Sequence, residues 1–187
     1  MLVLTKEQIM ESFSMREAID ACKESLKLYS EKKASVPLRT NINIAKQEGQ
    51  SLYMPAYVEG NEEALGVKIV SVYPKNIEKN IPSVPATMVT LDAETGMVSA
   101  ILDGTYLTQL RTGAVQGAAT ELLSRKDSKV GALIGTGGQA ECQLWAMLTA
   151  RELEEVRIFD IDFERATGFA KEMEAKYRVT MVPTKTS

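Results

Sequence analysis

Histidine is absent from this chain of 187 residues, and only two cysteines are present. The lack of histidine excludes Ser-His-Asp and Cys-His catalysis and any zinc site built on imidazole. Cys22 and Cys142 lie far apart in sequence, and two thiolates do not complete a tetrahedral zinc site. Acid–base chemistry in this chain therefore depends on Lys, Asp, Glu, Tyr or a bound cofactor.

Long apolar runs and an excess of positive charge are also missing. No apolar stretch approaches the ~18 residues of a membrane span, and the N-terminal segment becomes charged at Lys6, which argues against a signal peptide. The formal net charge is -3, which gives no basic surface for nucleic acid. We expect a cytoplasmic protein whose partners include neither nucleic acid nor membrane.

The first two thirds of the chain predict a mainly antiparallel sheet backed by a helix. Apolar residues recur at helical spacing over residues 14–33, and residues 38–103 read as strands and turns. The turn "AETG" separates two strand-like runs and predicts a hairpin, while Pro55 suggests a sheet edge or a bulge. A helix follows from Thr105, and its small residues allow close approach of another element or a ligand.

The last third alternates strands with helices. Strands are predicted at Val130–Ile134, at Val156–Asp160 and from Arg178, with helices at Gly138–Arg151 and Phe163–Tyr177. This β-α-β-α-β order predicts a parallel sheet with right-handed crossovers. The charged connector "SRKDSK" predicts domains at 1–125 and 126–187. The fold class is therefore α/β, with a mainly antiparallel α+β domain followed by the first half of a Rossmann domain.

The segment "VGALIGTGGQAECQ" has the features of a dinucleotide-binding loop. Gly135 permits a tight turn, Gly137 permits close approach to a pyrophosphate, and Ala140 is small enough for strand and helix to pack. The following helix would present its N-terminal N–H groups to the phosphates. The predicted loop residues are Gly135, Thr136, Gly137, Gly138, Gln139 and Ala140. The alternative is a glycine-rich turn without a ligand.

Asp160 follows the second strand of this region, about 20 residues beyond the loop, where dinucleotide sites place an acidic residue. It is predicted to bond a ribose hydroxyl and to favour NAD over NADP, because its charge would repel a 2′-phosphate. The alternative is a solvated aspartate at a strand end.

Three basic residues of the first region are candidates for holding an organic anion. Lys68 shares a strand face with Val70 and Val72, and an ammonium there is costly unless it is paired. Arg111 precedes the small-residue helix segment and would suit a carboxylate or a phosphate. Together with Arg39 they could form a cationic pocket for an α-carboxylate. The alternatives are a snorkelling lysine, a surface helix charge and a solvated strand residue, respectively.

Four segments resemble the ornithine cyclodeaminase/mu-crystallin family in their order: "LYMPAY", "VKIVSVYPKN", "LDAETGMVSAILDGTYLTQLRTGAVQGAAT" and "ALIGTGGQAECQ". The family includes ornithine cyclodeaminases, an archaeal-type alanine dehydrogenase, pyrroline-2-carboxylate and ketimine reductases, and a thyroid-hormone-binding crystallin. The resemblance implies a substrate domain that forms a homodimer, joined to a Rossmann domain that binds NAD.

The resemblance also implies residue roles. Arg39, Lys68 and Arg111 match the residues that hold the substrate carboxylate, and Lys68 matches a residue that assists proton transfer. The residues that match the cofactor site are Thr112, Gly113, Gly135, Gly137, Gln139 and Asp160.

Two departures from the family pattern bear on the reaction. The resemblance to ornithine cyclodeaminases implies an acidic residue two positions before the Met-Pro pair that receives the distal amine, but this chain has Leu52 there. Leu52 argues against an ornithine-specific pocket and favours a smaller or apolar amino or imino acid. The family's catalytic aspartate lies in a later segment without a counterpart here, so the chain is expected to be a truncated or fragmentary member.

The expected activity is that of an NAD-dependent ornithine cyclodeaminase, which forms proline and ammonia by removing and returning a hydride at Cα. The alternatives are an alanine dehydrogenase, a pyrroline-2-carboxylate or ketimine reductase that acts on a small amino or imino acid, and a non-catalytic protein that binds NAD and a ligand.

Overall fold

A computed structural model of the chain describes residues 1–60 and 63–186, which hold ten strands and five α-helices. The strands are β1 (Leu2–Leu4), β2 (Ala34–Ser35), β3 (Thr40–Ile44), β4 (Gly49–Val58), β5 (Ala64–Val72), β6 (Ala86–Leu91), β7 (Val98–Asp103), β8 (Val130–Ile134), β9 (Glu155–Phe159) and β10 (Thr180–Thr184). The helices are α1 (Lys6–Ser12), α2 (Met15–Ser30), α3 (Gly104–Leu123), α4 (Ala140–Ala150) and α5 (Phe163–Tyr177). Short 3-10 turns occur at Ala45–Gln47 and Pro74–Lys79.

Packing divides the chain into two units that are interleaved in sequence. The first unit is Met1–Ser14 with Glu24–Thr108, and the second unit is Met15–Lys23 with Gln109–Ser187. Helices α2 and α3 each cross from one unit to the other along the chain. The predicted domain boundary at residue 125 stays a prediction. The division by packing falls within α2 and α3 instead. Within the described part of the chain, no helix combines the length and apolar character needed to cross a membrane.

The first unit contains a seven-stranded sheet in the order β1-β7-β6-β5-β4-β2, with β3 also paired to β4. All pairs are antiparallel except β1 with β7. The predicted antiparallel sheet is confirmed, and so is the hairpin between β6 and β7. Asp92 closes that turn, because its N–H donates to the Met97 carbonyl at 2.9 Å and its carboxylate accepts from the Thr95 N–H at 2.7 Å.

Pro55 lies in a locally unpaired stretch of an interior strand. On one side of β4, β3 pairs with residues 49–53 and β2 with residues 57–58. Among the described residues, no strand pairs with 54–56 on that side, so this stretch resembles a sheet edge. A residue without an N–H is tolerated in such a position.

The apolar stripe predicted along residues 14–33 is buried over only part of its length. Helix α2 ends at Ser30, and Met15, Ala18 and Ile19 are buried. The predicted helix is confirmed, but Leu26 and Tyr29 near its end are 50% and 60% exposed. The buried positions Met15, Ala18 and Ile19 all belong to the second unit.

The second unit contains the predicted parallel sheet, in the order β10-β9-β8, with α4 and α5 in the crossovers. This is the 3-2-1 order of the first half of a Rossmann domain. Its core is continuous: Leu133, Ala140, Leu144, Met147, Leu153, Val156, Ile158, Ala166, Ala170, Met173 and Met181 are buried together. The sequence prediction of a βαβαβ unit is confirmed.

Helix α3 packs closely beside α4 in the second unit. A Cβ on Gly113 would lie 2.4 Å from the carbonyl oxygen of Cys142, and one on Gly117 would lie 3.1 Å from the Cβ of Ala146. From the first contact to the second, the contacting residue moves four positions along α3 and four positions along α4. The two helices therefore run in the same direction where they touch. The small residues predicted to allow close approach therefore serve helix packing.

An ion network joins the start of α2 to the end of α3. Glu121 accepts from Arg16 Nη2 at 2.9 Å and from Lys23 Nζ at 2.5 Å. The hydrogen bonds from Arg16, and then those from Lys23, lower the pKa of the Glu121 carboxyl from 4.5 to about 2. This network fixes the part of α3 that lies beyond the predicted Arg111–Gly113 site residues.

Candidate functional site

The loop between β8 and α4 leaves open space beside its glycines. Gly135 has φ +91°, a backbone conformation that favours glycine, and its N–H donates to the Phe159 carbonyl at 2.7 Å. A Cβ on Gly135 or Gly137 would meet no atom within 4 Å. The loop can therefore admit a ligand against its backbone, as a pyrophosphate requires.

The start of α4 also suits an anion. The cap residue Gln139 makes no side-chain cap hydrogen bond, so N–H groups of the first turn are not covered by a capping side chain. Glu141 in that turn would repel a phosphate, but Lys176 forms an ion pair with its carboxylate. The partial positive charge of the helix N-terminus is thus not cancelled by an unpaired acid.

Asp160 is buried at the end of β9, where its carboxylate accepts four hydrogen bonds from the chain. Oδ2 accepts from the N–H and the hydroxyl of Thr136, both at 2.7 Å. Oδ1 accepts from the Asp162 N–H at 3.0 Å and from Arg165 Nη2 at 2.6 Å. The Asp162 N–H, the Thr136 hydroxyl and then the Arg165 guanidinium hold the pKa of the Asp160 carboxyl well below its usual range.

Asp160 therefore has a positioning role in addition to the ribose contact that stays a prediction. Its two bonds to Thr136 tie the glycine loop to the end of β9. Arg165 was not among the residues that the sequence singled out. The sequence could have indicated Arg165 by its position, because it lies in the first turn of α5, after the N-cap residue Asp162.

Gln109 is a second residue that the sequence reasoning missed. A Cβ on Gly138 would lie 3.7 Å from Gln109 Nε2, so this amide lies beside the glycine loop. Gln109 precedes Gly113 by one helical turn, and Gly113 packs against Cys142. Thr112 is half-buried on the same helix. The cofactor roles of Thr112 and Gly113 stay predictions, and the packing of Gly113 is what the structure shows.

Arg111 is exposed on α3 in the second unit. Its carbonyl accepts a hydrogen bond from Cys22 Sγ at 3.8 Å, which links α3 to the middle of α2. Arg39 and Lys68 belong to the first unit. The prediction that all three basic residues form one pocket stays a prediction.

Lys68 is half-buried in the middle of β5, with apolar cross-strand partners on both sides. It pairs with Met54 on β4 and with Met88 on β6. Leu52 and Val70 form the next pair on the same face and are 8% and 7% exposed. The ammonium therefore shares its sheet face with an apolar surface.

Arg39 approaches the same part of β4 as Lys68. It directly precedes Thr40, which pairs with Tyr53, the neighbour of Met54. Arg39 is exposed, whereas Lys68 is half-buried. The sheet topology thus brings two of the three predicted carboxylate-binding residues to one stretch of β4.

Comparison with known proteins identifies relatives of this chain. The chain is 34% identical over 177 residues to a Delta(1)-pyrroline-2-carboxylate reductase of Bacillus cereus, covering 95% of this chain and 54% of that protein. A solved structure of the Thermococcus litoralis Delta(1)-pyrroline-2-carboxylate reductase in complex with NADH and L-proline superimposes with TM-score 0.94 and 41% identity, over 100% of this chain and 58% of that one. An archaeal alanine dehydrogenase dimer with bound NAD gives TM-score 0.88 and 36% identity, over 98% and 55%.

The chain spans about half the length of the curated relatives that it matches. The model of the ornithine cyclodeaminase/mu-crystallin family matches residues 1–186. This match confirms the resemblance seen in the four sequence segments. The chain belongs to the ornithine cyclodeaminase/mu-crystallin family.

Proposed function

We propose that the protein is an NAD-dependent enzyme that transfers a hydride at Cα of a small amino or imino acid. Its preferred substrate is a cyclic imino acid of the pyrroline-2-carboxylate type, which is reduced to the corresponding amino acid. The reaction adds a hydride to the imine carbon and a proton to the imine nitrogen. The 187 residues supply the glycine loop and the sheet that carries Lys68, and the whole protein acts as a cytoplasmic homodimer.

The half-buried Lys68 beside Leu52 is the observation that carries this proposal. A cyclic imino acid has a carboxylate, which needs a cation, and an apolar ring, which needs an apolar surface. The face shared by Lys68, Met54, Met88 and Leu52 offers both. A cyclodeaminase must also bind the distal amine of ornithine, and a leucine cannot pair with an ammonium. Leu52 therefore favours the reductase over the cyclodeaminase that the sequence first indicated.

The residues divide the chemistry between them. Arg39, Lys68 and Arg111 hold the carboxylate, and Lys68 delivers the proton to the imine nitrogen. The loop residues Gly135–Ala140 hold the diphosphate with backbone N–H groups, and Asp160 orients the loop through Thr136. A bound nicotinamide supplies the hydride. The named relatives support this assignment, since the Thermococcus litoralis enzyme was solved with NADH and L-proline.

Binding of L-proline to the 187-residue chain, measured calorimetrically in the presence of NADH, tests the role of Lys68. Lys68→Met keeps the length and apolar character of the side chain but removes the charge. We expect it to weaken L-proline binding about tenfold or more, the value of a hydrogen bond to a charged group, with NADH binding nearly unchanged. The matched control is Lys79→Met, because Lys79 is exposed on the 3-10 turn that follows β5.

An L-proline affinity that is unchanged in Lys68→Met would contradict the carboxylate role. Nicotinamide stoichiometry separates the two reactions in an assay of the whole protein. A reductase consumes one NADH for each imine reduced, whereas a cyclodeaminase converts ornithine to proline and ammonia without net change in NADH. Ornithine turnover of the second kind would replace the reductase proposal by the cyclodeaminase alternative.

A further inference from the structure

The packing of α3 against α4 brings the side chain of Gln109 to the glycine loop. Two glycines of α3 contact α4 four residues apart on each helix, and the first of these contacts joins Gly113 to Cys142. One turn earlier on both segments, the same register places Gln109 opposite Gly138. A Cβ on Gly138 would lie 3.7 Å from Gln109 Nε2, so the amide does lie at this position. The helix contact therefore delivers a polar side chain to the side of the loop.

The amide of Gln109 is not used by the protein itself. It makes no hydrogen bond to any residue in the ranges 1–60 and 63–186. Gln109 is half-buried, so water reaches its side chain only in part. Withdrawing an amide from water without giving it a partner costs free energy. An acceptor oxygen on a ligand beside Gly138 would provide that partner.

Three backbone N–H groups of the loop call for the same kind of ligand. Within the part of the chain that the structure describes, the N–H groups of Gly137, Gly138 and Gln139 donate to no acceptor. The Thr136 N–H just before them is occupied, because it donates to the Asp160 carboxylate at 2.7 Å. Successive unused donors at the start of a helix suit an anion with several oxygens, such as a diphosphate.

A glutamine suits this position because its amide supplies donors without adding charge. The NH₂ group has two N–H donors, and either can bond a phosphate oxygen. An amide also reaches the anion from α3, whereas the three backbone donors reach it from the segment that leads into α4. A glutamate of the same shape would have only acceptors and a negative charge, and would repel the ligand.

We infer that the Gln109 side chain is a further binding residue for the cofactor, and that its amide donates a hydrogen bond to the diphosphate held by the glycine loop. This inference rests on the proposed cofactor role of the loop between β8 and α4. It gives α3 a contact with the diphosphate that is separate from the predicted roles of Thr112 and Gly113.

Calorimetric titration of the 187-residue chain with ADP-ribose tests the inference, because this probe carries the diphosphate without the nicotinamide. Gln109→Leu removes the donor but keeps the bulk of the side chain. We expect it to weaken ADP-ribose binding about tenfold, the value of a hydrogen bond to a charged group. Gln109→Glu keeps the shape but adds a negative charge, and should weaken binding about 100-fold at low salt. Added salt should narrow the difference between the two variants, because it screens the repulsion.

Ala119→Glu is the matched control, since it adds the same charge to an exposed position about 15 Å further along α3. It should change the ADP-ribose affinity by less than about twofold, because a distant exposed charge is screened by salt. Thermal unfolding of each variant shows whether it is folded. Wild-type affinity in Gln109→Leu, or equal weakening in Gln109→Leu and Gln109→Glu at every salt concentration, overturns the inference while leaving the loop's role intact. A wild-type chain that does not bind ADP-ribose contradicts the proposed function itself.

Discussion

The two units of this chain bury their strands to different degrees. In the second unit, Val156, Ile158 and Leu144 have no exposed surface, and α4 and α5 cover one face of the parallel sheet, whereas Val130 and Ile134 are 52% and 71% exposed. In the first unit, the buried apolar residues of the described strands are Leu52, Val70 and Ala100. Most other apolar residues of β4 to β7 are half-buried.

This difference follows from the two ways in which sheets are built. A parallel sheet needs crossover helices, and these bring an apolar cover to its faces. An antiparallel sheet is joined by hairpins and can leave a face partly uncovered. In this chain the sheet with crossover helices on one face carries the glycine loop, which Asp160 holds in place, and the antiparallel sheet carries Lys68. Lys68 shares its sheet face with Leu52 and Val70, which are buried, so the surroundings of its side chain are partly shielded from solvent.

Leucine truncation in each unit tests this difference in burial and should give the largest effect on stability. Leu144→Ala in the second unit creates a cavity in a fully buried site and should lower the free energy of unfolding by about 3 kcal/mol. Leu65→Ala in the first unit affects a half-buried residue of β5 and should cost about 1 kcal/mol. Urea unfolding combined with amide hydrogen exchange of β9 and β5 measures both. Equal costs would show that the two sheets are equally well packed.

Glycine substitution tests the α3–α4 contact of the second unit. Gly113→Ala places a Cβ 2.4 Å from the backbone oxygen of Cys142, and such overpacking should lower the free energy of unfolding by about 2 kcal/mol. Gly117→Ala is the matched change one turn later. Its Cβ would lie 2.7 Å from Cδ1 of the buried Ile19 side chain and 3.1 Å from the Cβ of Ala146, rather than against a backbone atom. We expect a smaller cost of about 1 kcal/mol there, because a side chain can shift and alanine favours the helix.

Thermal unfolding of the two glycine variants distinguishes these outcomes. A variant Gly113→Ala as stable as wild type would mean that α3 and α4 separate without cost. The contact would then contribute little to holding Gln109 beside Gly138.

The ion network of Glu121 gives the smallest expected effect and a pH dependence. Because the pKa of Glu121 is lowered from 4.5 to about 2, its contribution to stability is present above pH 4.5 and is lost as the pH falls towards 2. Glu121→Gln should lower the free energy of unfolding by about 1 kcal/mol at pH 7, as for a partly exposed pair. Its stability should also fall less steeply than that of wild type between pH 4.5 and 2.

Glu24→Gln is the control from the other unit on the same helix. Glu24 is exposed and its oxygen lies 3.8 Å from Lys27 Nζ, so its neutralisation should change stability by less than about 0.5 kcal/mol. Acid unfolding curves at several pH values compare the two variants. Identical curves for both would contradict a specific contribution from the Arg16, Lys23 and Glu121 network.

Local patterns predicted most elements of both units, and their failures have identifiable causes. Alternating and continuous apolar runs marked the strands, and glycine with proline marked the turns. Strand β1 and helix α1 were missed, although Thr5 and Gln8 form a capping box that marks the start of α1. The parallel pairing of β1 with β7 joins residues almost 100 positions apart, and no local pattern reports such a pairing.

The sequence by itself determined the βαβαβ order, the glycine loop after β8 and the acidic residue after β9, because each depends on residue types at short spacing. Only the tertiary structure decided that Thr136, Asp162 and Arg165 occupy the Asp160 carboxylate, and that Gly113 serves packing against Cys142. It likewise placed Lys68 opposite Met54 and beside Leu52. Most of these contacts join residues far apart in the chain, and their geometry follows from strand register and helix packing, which no single segment encodes.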